Sequence, residues 1–337
     1  LVGSEMCIRD RAATESDKLI TSGRYEIYNT GHPQEDYFNM YRIDDKSDLK
    51  EAVLYVDYKT NIREHNMAAA GREAGCGFSK SFVESFLCSD GLPISLSNKY
   101  LGDETMRKET ANRDPRLKQL ILTNDFPTNV TDDLKDSTFV VNEDEFITQH
   151  CFTGYRPIKG FNPIYSQALY MKSSFDGIAY RYAETLLINA EAKAELNTIT
   201  DADLDRTINQ LRDRVGMPHL TVNVGFTDPK WPDWGYSLSP VLQEIRRERC
   251  IELAGEGFRF NDLKRWKAGK LLNNVLTYVG KRKPDGNLAI VYPNYTNPDL
   301  SYQAGKSRTW EDKMYLYPIP TGELQRNPQL LPQNPGW

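Results

Sequence analysis

Ile245-Arg-Arg-Glu-Arg-Cys-Ile-Glu-Leu-Ala-Gly-Glu-Gly-Phe-Arg-Phe-Asn-Asp-Leu-Lys-Arg-Trp266 is the stretch whose reading decides the fold. Wound as a helix at about 100° per residue, it and the residues just before it put Val241, Leu242, Ile245 and Leu253 on one stripe. Arg249 and Glu252 fall inside that stripe. A charge on a buried face is tolerated only when it is paired and hydrogen-bonded. The pattern therefore predicts a helix that packs on a partner through an Arg–Glu network, with Arg249 and Glu252 as its structural members. Ser239 is placed to cap this helix, with Pro240 at its first position. The helix is expected to reach Ala254 and break at Gly255 and Gly257, and Asn261 to cap a further helix over 262–272.

Further helical periodicity lies upstream. Ala179, Ala183, Leu186, Leu187, Ala190 and Ala194 share a face from Asp176 onward, and the alanines allow another helix to come close. Leu204, Ile208, Leu211 and Val215 predict one helix over 201–215, ended by Gly216 and Pro218. Asp201, Asp203 and Asp205 in its first turn, and Arg212 and Arg214 in its last, suit the helix dipole. Residues 12–30 read as a helix tail followed by an extended piece, and Glu51–Tyr58 as a strand. Residues 59–80 read as a polar loop, Ser81–Leu87 as a short helix or turn, and 95–175 as strands and loops interrupted at Asp114-Pro and Phe126-Pro. The fold expected is mainly α: tetratricopeptide-type helix pairs supporting a loop-rich face with short strands. Two pairs are visible and such arrays need about three or more repeats, so further helices are expected upstream.

The arginine-rich stretch resembles the signature of the SusD/RagB family, the surface glycan-binding lipoproteins of Bacteroidetes. Tyr315-Leu-Tyr-Pro-Ile-Pro-Thr-Gly-Glu-Leu-Gln-Arg-Asn-Pro-Gln-Leu-Leu-Pro-Gln-Asn-Pro-Gly-Trp337 resembles its terminus, and Asp90-Gly-Leu-Pro93 and Arg113-Asp-Pro-Arg-Leu117 its middle section. The resemblance covers residues 12–337 as one SusD-like domain, with 12–175 mixed strand and loop and 176–337 helical with an irregular tail. Residues 1–11 look foreign to the family and are expected to be non-native or unstructured. The resemblance implies non-catalytic binding of oligosaccharide at the outer surface of the outer membrane. It also implies delivery to a SusC-like TonB-dependent transporter, and attachment through a lipid anchor, expected to be absent from this chain as a fragment of a longer protein. It implies no cofactor. Ligand contacts in the family come from variable loops, so no binding position carries over.

Composition narrows the remaining choices. A net charge of −5 argues against nucleic acid as the partner, which favours a concentrated basic surface. No apolar run is long enough to span a bilayer. Cys7, Cys76, Cys88, Cys151 and Cys250 form no Cys-x-x-Cys, and at least one thiol is free; a Cys76–Cys88 pair stays open. Asp201-x-Asp-x-Asp205 begins like a calcium loop, but Arg206 stands where glycine is required and Arg212 where the bidentate glutamate belongs. Gly75-Cys-Gly77 lacks the third glycine of a dinucleotide fingerprint. His32, His65, His150 and His219 are too scattered to imply a metal site.

Two loops are candidate saccharide sites. Trp231-Pro-Asp-Trp234-Gly-Tyr236 carries two indoles and a phenol that could stack on sugar rings, with Asp228, Lys230 and Asp233 beside them for the hydroxyls. The alternative is that these rings fill the core. The second loop follows the Glu51–Tyr58 strand and offers Tyr58, Asn61, Arg63, His65 and Asn66. Two other functional classes stay open. A glycoside hydrolase needs two carboxylates about 5–10 Å apart across a sugar bond. A helical-repeat scaffold would bind peptide or protein and need no sugar site.

Overall fold

The computed structural model describes residues 2–70, 77–148, 150–290 and 309–337. The helix Tyr182–Glu195 is the axis of the helical half. Its buried Ala183, Ala190 and Ala194 let neighbours approach, and helix Val2–Thr21 lies against it. Asn189 ties the two, its Nδ2 donating to the Ala13 carbonyl at 3.1 Å and to Ser16 Oγ at 3.0 Å. On other sides lie the arginine-rich helix Pro240–Glu252 and the helix Ile208–Arg214. Leu186, Leu187, Leu204, Ile208, Leu211, Val241, Leu242, Ile245 and Leu253 form one apolar cluster between them. Ser239 caps the arginine-rich helix, accepting from the Leu242 N–H, with Pro240 in the first turn.

Several sequence expectations shift. The helix expected over 201–215 is two: Asp201–Asp205 and Ile208–Arg214. Thr207 breaks it at φ −129°, ψ −92°, its hydroxyl donating back to the Asp203 carbonyl at 2.6 Å, a bond that competes with helical continuation. Asp203 serves a capping box with Thr200. Helical pattern begins at Tyr182 rather than Asp176, because Gly177–Arg181 pairs antiparallel with the strand Ala52–Val56 and leaves Ala179 exposed. The arginine-rich helix ends at Glu252. The next runs Arg259–Arg265 with Asn261 inside it, because Gly257 at φ +85° turns the chain back early. Helix Val2–Thr21 includes residues 2–11.

The loop-rich half has its own core of Tyr37, Phe38, Met40, Val83, Phe86, Leu117, Leu120, Tyr155, Phe161 and Phe175. Short helices Lys80–Ser85 and Arg116–Leu120 carry it, and three two-stranded ladders are present among the described residues. Cys88 is a buried free thiol, while Cys76 lies outside the described residues.

The two halves are joined by buried ions. Glu252 accepts from Arg214 Nη2 at 2.6 and 2.7 Å, from Arg181 Nη1 at 2.6 Å and from Arg116 Nη1 at 3.0 Å. Arg181 also bonds Glu51 at 2.9 Å and Glu256 at 2.7 and 2.8 Å. Lys159 reaches Glu256 at 2.6 Å, Arg116 pairs with Asp114 at 2.6 Å and with Glu248, and Arg212 bonds Glu248 at 3.1 Å. Five cations (Arg116, Lys159, Arg181, Arg212, Arg214) thus meet five carboxylates (Glu51, Asp114, Glu248, Glu252, Glu256), and the cluster is neutral as a whole. Neutrality is what makes its burial tolerable. Arg212 and Arg214, expected as dipole partners on a helix surface, are instead buried in this cluster.

Candidate functional site

The tryptophan loop is held by the helical half. Trp234 is 5% exposed; its Nε1 donates to Gln243 Oε1 at 2.6 Å and its ring stands edge-on to Trp266 at 5.4 Å. Arg246 lies against both rings, 4.9 Å from the Trp234 centroid and 4.5 Å from that of Trp266, and bonds Glu195 at 3.1 Å. Trp231 is half-buried and donates to Glu244 Oε1 at 2.7 Å. Tyr236 is 44% exposed, yet its hydroxyl donates to the Trp266 carbonyl at 2.7 Å and accepts from Arg246 at 2.9 Å. Asp228 is bound by Arg247, Ser95 and the Lys230 N–H, and Asp233 by the Gly235 N–H. Trp234 therefore cannot stack on a sugar: the indole is a core plug locked by a cation and a hydrogen bond. Arg249 and Glu252 are both buried but do not pair with each other. Arg249 Nε donates to Asp262 on the next helix at 2.9 Å, while Glu252 serves the central cluster.

The second loop forms a lobe with residues 165–176. Tyr58 follows the strand Ala52–Val56 and its N–H donates to Asp176 Oδ1 at 2.8 Å. The Tyr58 ring meets His65 edge-on at 4.5 Å, and the Arg63 guanidinium lies over it at 5.0 Å. His65 Nε2 donates to the Phe175 carbonyl at 2.8 Å and Nδ1 accepts from the Met67 N–H at 3.0 Å, an arrangement that assigns the neutral tautomer. Burial also pushes its pKa below the usual imidazole range. Backbone bonds between His65 and Ser173, and one from the Met171 N–H to Asn66 Oδ1 at 3.0 Å, lock the two segments side by side. Tyr58, His65 and Asn66 are thus brought together, as the frame of the lobe rather than as its open faces.

What the lobe opens to solvent is a set of residues that sequence reading passed over. Tyr170 is 73% and Tyr165 54% exposed, and neither phenol makes a hydrogen bond among the described residues. Leu169, Met171, Met67 and Ile62 are exposed in the same two segments. Met171 sits at φ +56°, a conformation long side chains avoid and one that gathers at functional sites. No periodicity marks Tyr165 or Tyr170, because the segment between the short helix Tyr165–Ala168 and strand Gly177–Arg181 is irregular. The remaining histidines bond locally where their partners are described: His32 with Thr30 and His219 with Asp213. Glu109, whose carboxyl is raised by burial, is sealed between Lys80 and the Tyr155 hydroxyl and faces no cleft.

The sequence profile of the SusD family matches residues 24–337. A SusD-like protein P2 from Formosa agariphila is 32% identical over 166 residues, 49% of this chain and 27% of the relative. A SusD-like protein from Bacteroides fragilis superposes with a TM-score of 0.67 at 24% identity, over 98% of this chain and 62% of its own. A SusD-like carbohydrate binding protein, also from Bacteroides fragilis, gives 0.66 at 23% identity, over 96% and 62%. The surface glycan-binding protein A of Bacteroides fluxus gives 0.54 at 18% identity, over 99% and 60%. This chain spans less than two thirds of the length of each of these solved structures. At such identities they establish the fold.

Proposed function

The chain belongs to the SusD family, and on that footing we propose that it binds oligosaccharide without chemistry, through the lobe of residues 58–67 and 165–176. The observation that carries this reading is the pair of open phenol rings, Tyr165 and Tyr170, on a backbone pinned from beneath by His65 and Asn66. A tyrosine ring offers an apolar face to the C–H face of a sugar and a hydroxyl to its oxygens. Rigid support lowers the ordering cost of binding. Relatives of the same fold named as carbohydrate-binding and surface glycan-binding proteins support the ligand class.

The wider role follows the family: a surface lipoprotein of the outer membrane that passes glycan to a TonB-dependent transporter. No helix among the described residues is long and apolar enough to cross a membrane.

Isothermal titration against a panel of oligosaccharides tests the site. Tyr170→Ala is expected to weaken the best ligand by about tenfold, roughly 1.4 kcal/mol, with the melting temperature unchanged. Saccharide binding that is indifferent to Tyr170 and Tyr165 would place the site elsewhere.

A further inference from the structure

Lys59 and Arg63 face each other across the hairpin at the edge of the lobe. Their backbones exchange both hydrogen bonds, the Lys59 N–H to the Arg63 carbonyl at 2.8 Å and the Arg63 N–H to the Lys59 carbonyl at 2.9 Å. Directly opposed residues in an antiparallel pair put their side chains on the same face, with β-carbons about 5 Å apart, and like charges so placed are destabilising. Neither cation forms an ion pair among the described residues. The hairpin's own carboxylate, Glu64, is occupied by Lys172 Nζ at 3.0 Å and by the Asn61 N–H at 3.2 Å. Asp176 behind the hairpin is occupied by the N–H groups of Lys46 and Tyr58. Asp57, exposed on the approach to the hairpin, forms no ion pair with either cation among the described residues.

Some cations of this acidic chain have carboxylate partners, such as Lys50 with Glu26, Arg107 and Lys118 with Asp125, and Lys283 with Asp285, while Arg24, Lys99, Arg259, Lys267 and Lys270 form no ion pair among the described residues. Lys59 and Arg63 are set apart by standing directly opposite one another across one hairpin, beside the lobe. The Arg63 guanidinium is moreover held over the Tyr58 ring, which is fixed by His65. An aromatic face orients the planar fork and leaves its N–H groups free to bond in its own plane.

We infer that the lobe takes an acidic glycan, with Arg63 and Lys59 receiving an anionic substituent of the sugar, a uronate carboxylate or a sulfate ester. The inference rests on the reading of the same lobe as a saccharide site. A guanidinium fork matches either oxyanion with two parallel hydrogen bonds, and the ammonium adds a point charge. The bound anion also removes the repulsion between the two cations, so binding and local stability act in the same direction.

Matched ligand pairs test this: oligogalacturonate against its methyl ester, and a sulfated galactan oligosaccharide against its desulfated form. Titrations at low and at high salt are run on the parent chain and on the Lys59→Gln/Arg63→Gln double variant. The parent chain is expected to bind one acidic member at least tenfold tighter than its neutral counterpart, with the margin shrinking as salt rises. The double variant is expected to lose that margin, to keep its affinity for the neutral member, and to melt no lower than the parent. A preference in the first pair names the carboxylate, and in the second the sulfate ester; either upholds the inference. Equal affinity for acidic and neutral members, or a double variant that keeps the margin, overturns it while leaving the saccharide site standing. Absence of binding to all four ligands overturns the saccharide reading itself.

Discussion

Replacing Glu252 by glutamine is expected to destabilise the fold by about 3–5 kcal/mol, the range for breaking a buried pair from one side. The side chain is fully buried and accepts from three arginines, Arg116, Arg181 and Arg214. Glutamine keeps the shape but removes the charge, and its amide donors face guanidinium donors. Urea unfolding followed by circular dichroism checks this as a lower midpoint at unchanged slope. The same network sets an acid limit for the parent chain. Burial alone would raise the Glu252 carboxyl, but Arg214, Arg181 and Arg116 outweigh it and hold it well below the usual value of 4.5. Glu256, likewise buried, is held at about 2 by Arg181 and Lys159. Both folded values lie below the unfolded one, so this stabilisation is complete above about pH 4.5 and is lost as pH falls toward 2. Glu109, raised by its burial, acts in the opposite sense. The midpoint is expected to be lower at pH 3 than at pH 6.

Trp234→Ala is expected to cost a similar amount, about 3–5 kcal/mol. The ring is buried against Trp266, and its loss removes one of the two indoles packed on Arg246 and leaves Gln243 without its donor. Measured well below the melting point, glycan affinity is expected to be unchanged. A variant that folds as stably as the parent but no longer binds saccharide would restore the tryptophan loop as the site and contradict the placement given above.

The helical half was legible because its signals are local. The Ser239 cap, Pro240 and the stripe of Val241, Leu242, Ile245 and Leu253 sit within a few residues of one another. The need to pair Arg249 and Glu252 was legible too, but their partners were not. Arg181 meets Glu51 across 130 residues of chain, and nothing near either residue announces the other. Arg212 and Arg214 misled for the same reason: a charged last turn looks solvated until a second helix is laid over it. The lobe was half legible. The strand and the polar residues after it pointed to Tyr58, His65 and Asn66, and these do converge. Only the tertiary arrangement tells framework from open face. His65 spends both ring nitrogens inside the lobe and Tyr58 packs its ring against His65, whereas the phenols of Tyr165 and Tyr170 stand open to solvent.

We propose that an ion-welded helical half presents the 58–67 and 165–176 lobe as the ligand surface. Hydrogen–deuterium exchange with and without a saturating oligosaccharide measures it most directly. Slowed exchange is expected in residues 58–67 and 165–176, and no change in 231–236 or in the helix Pro240–Glu252. Protection confined to 231–236, with the lobe unaffected, would contradict it.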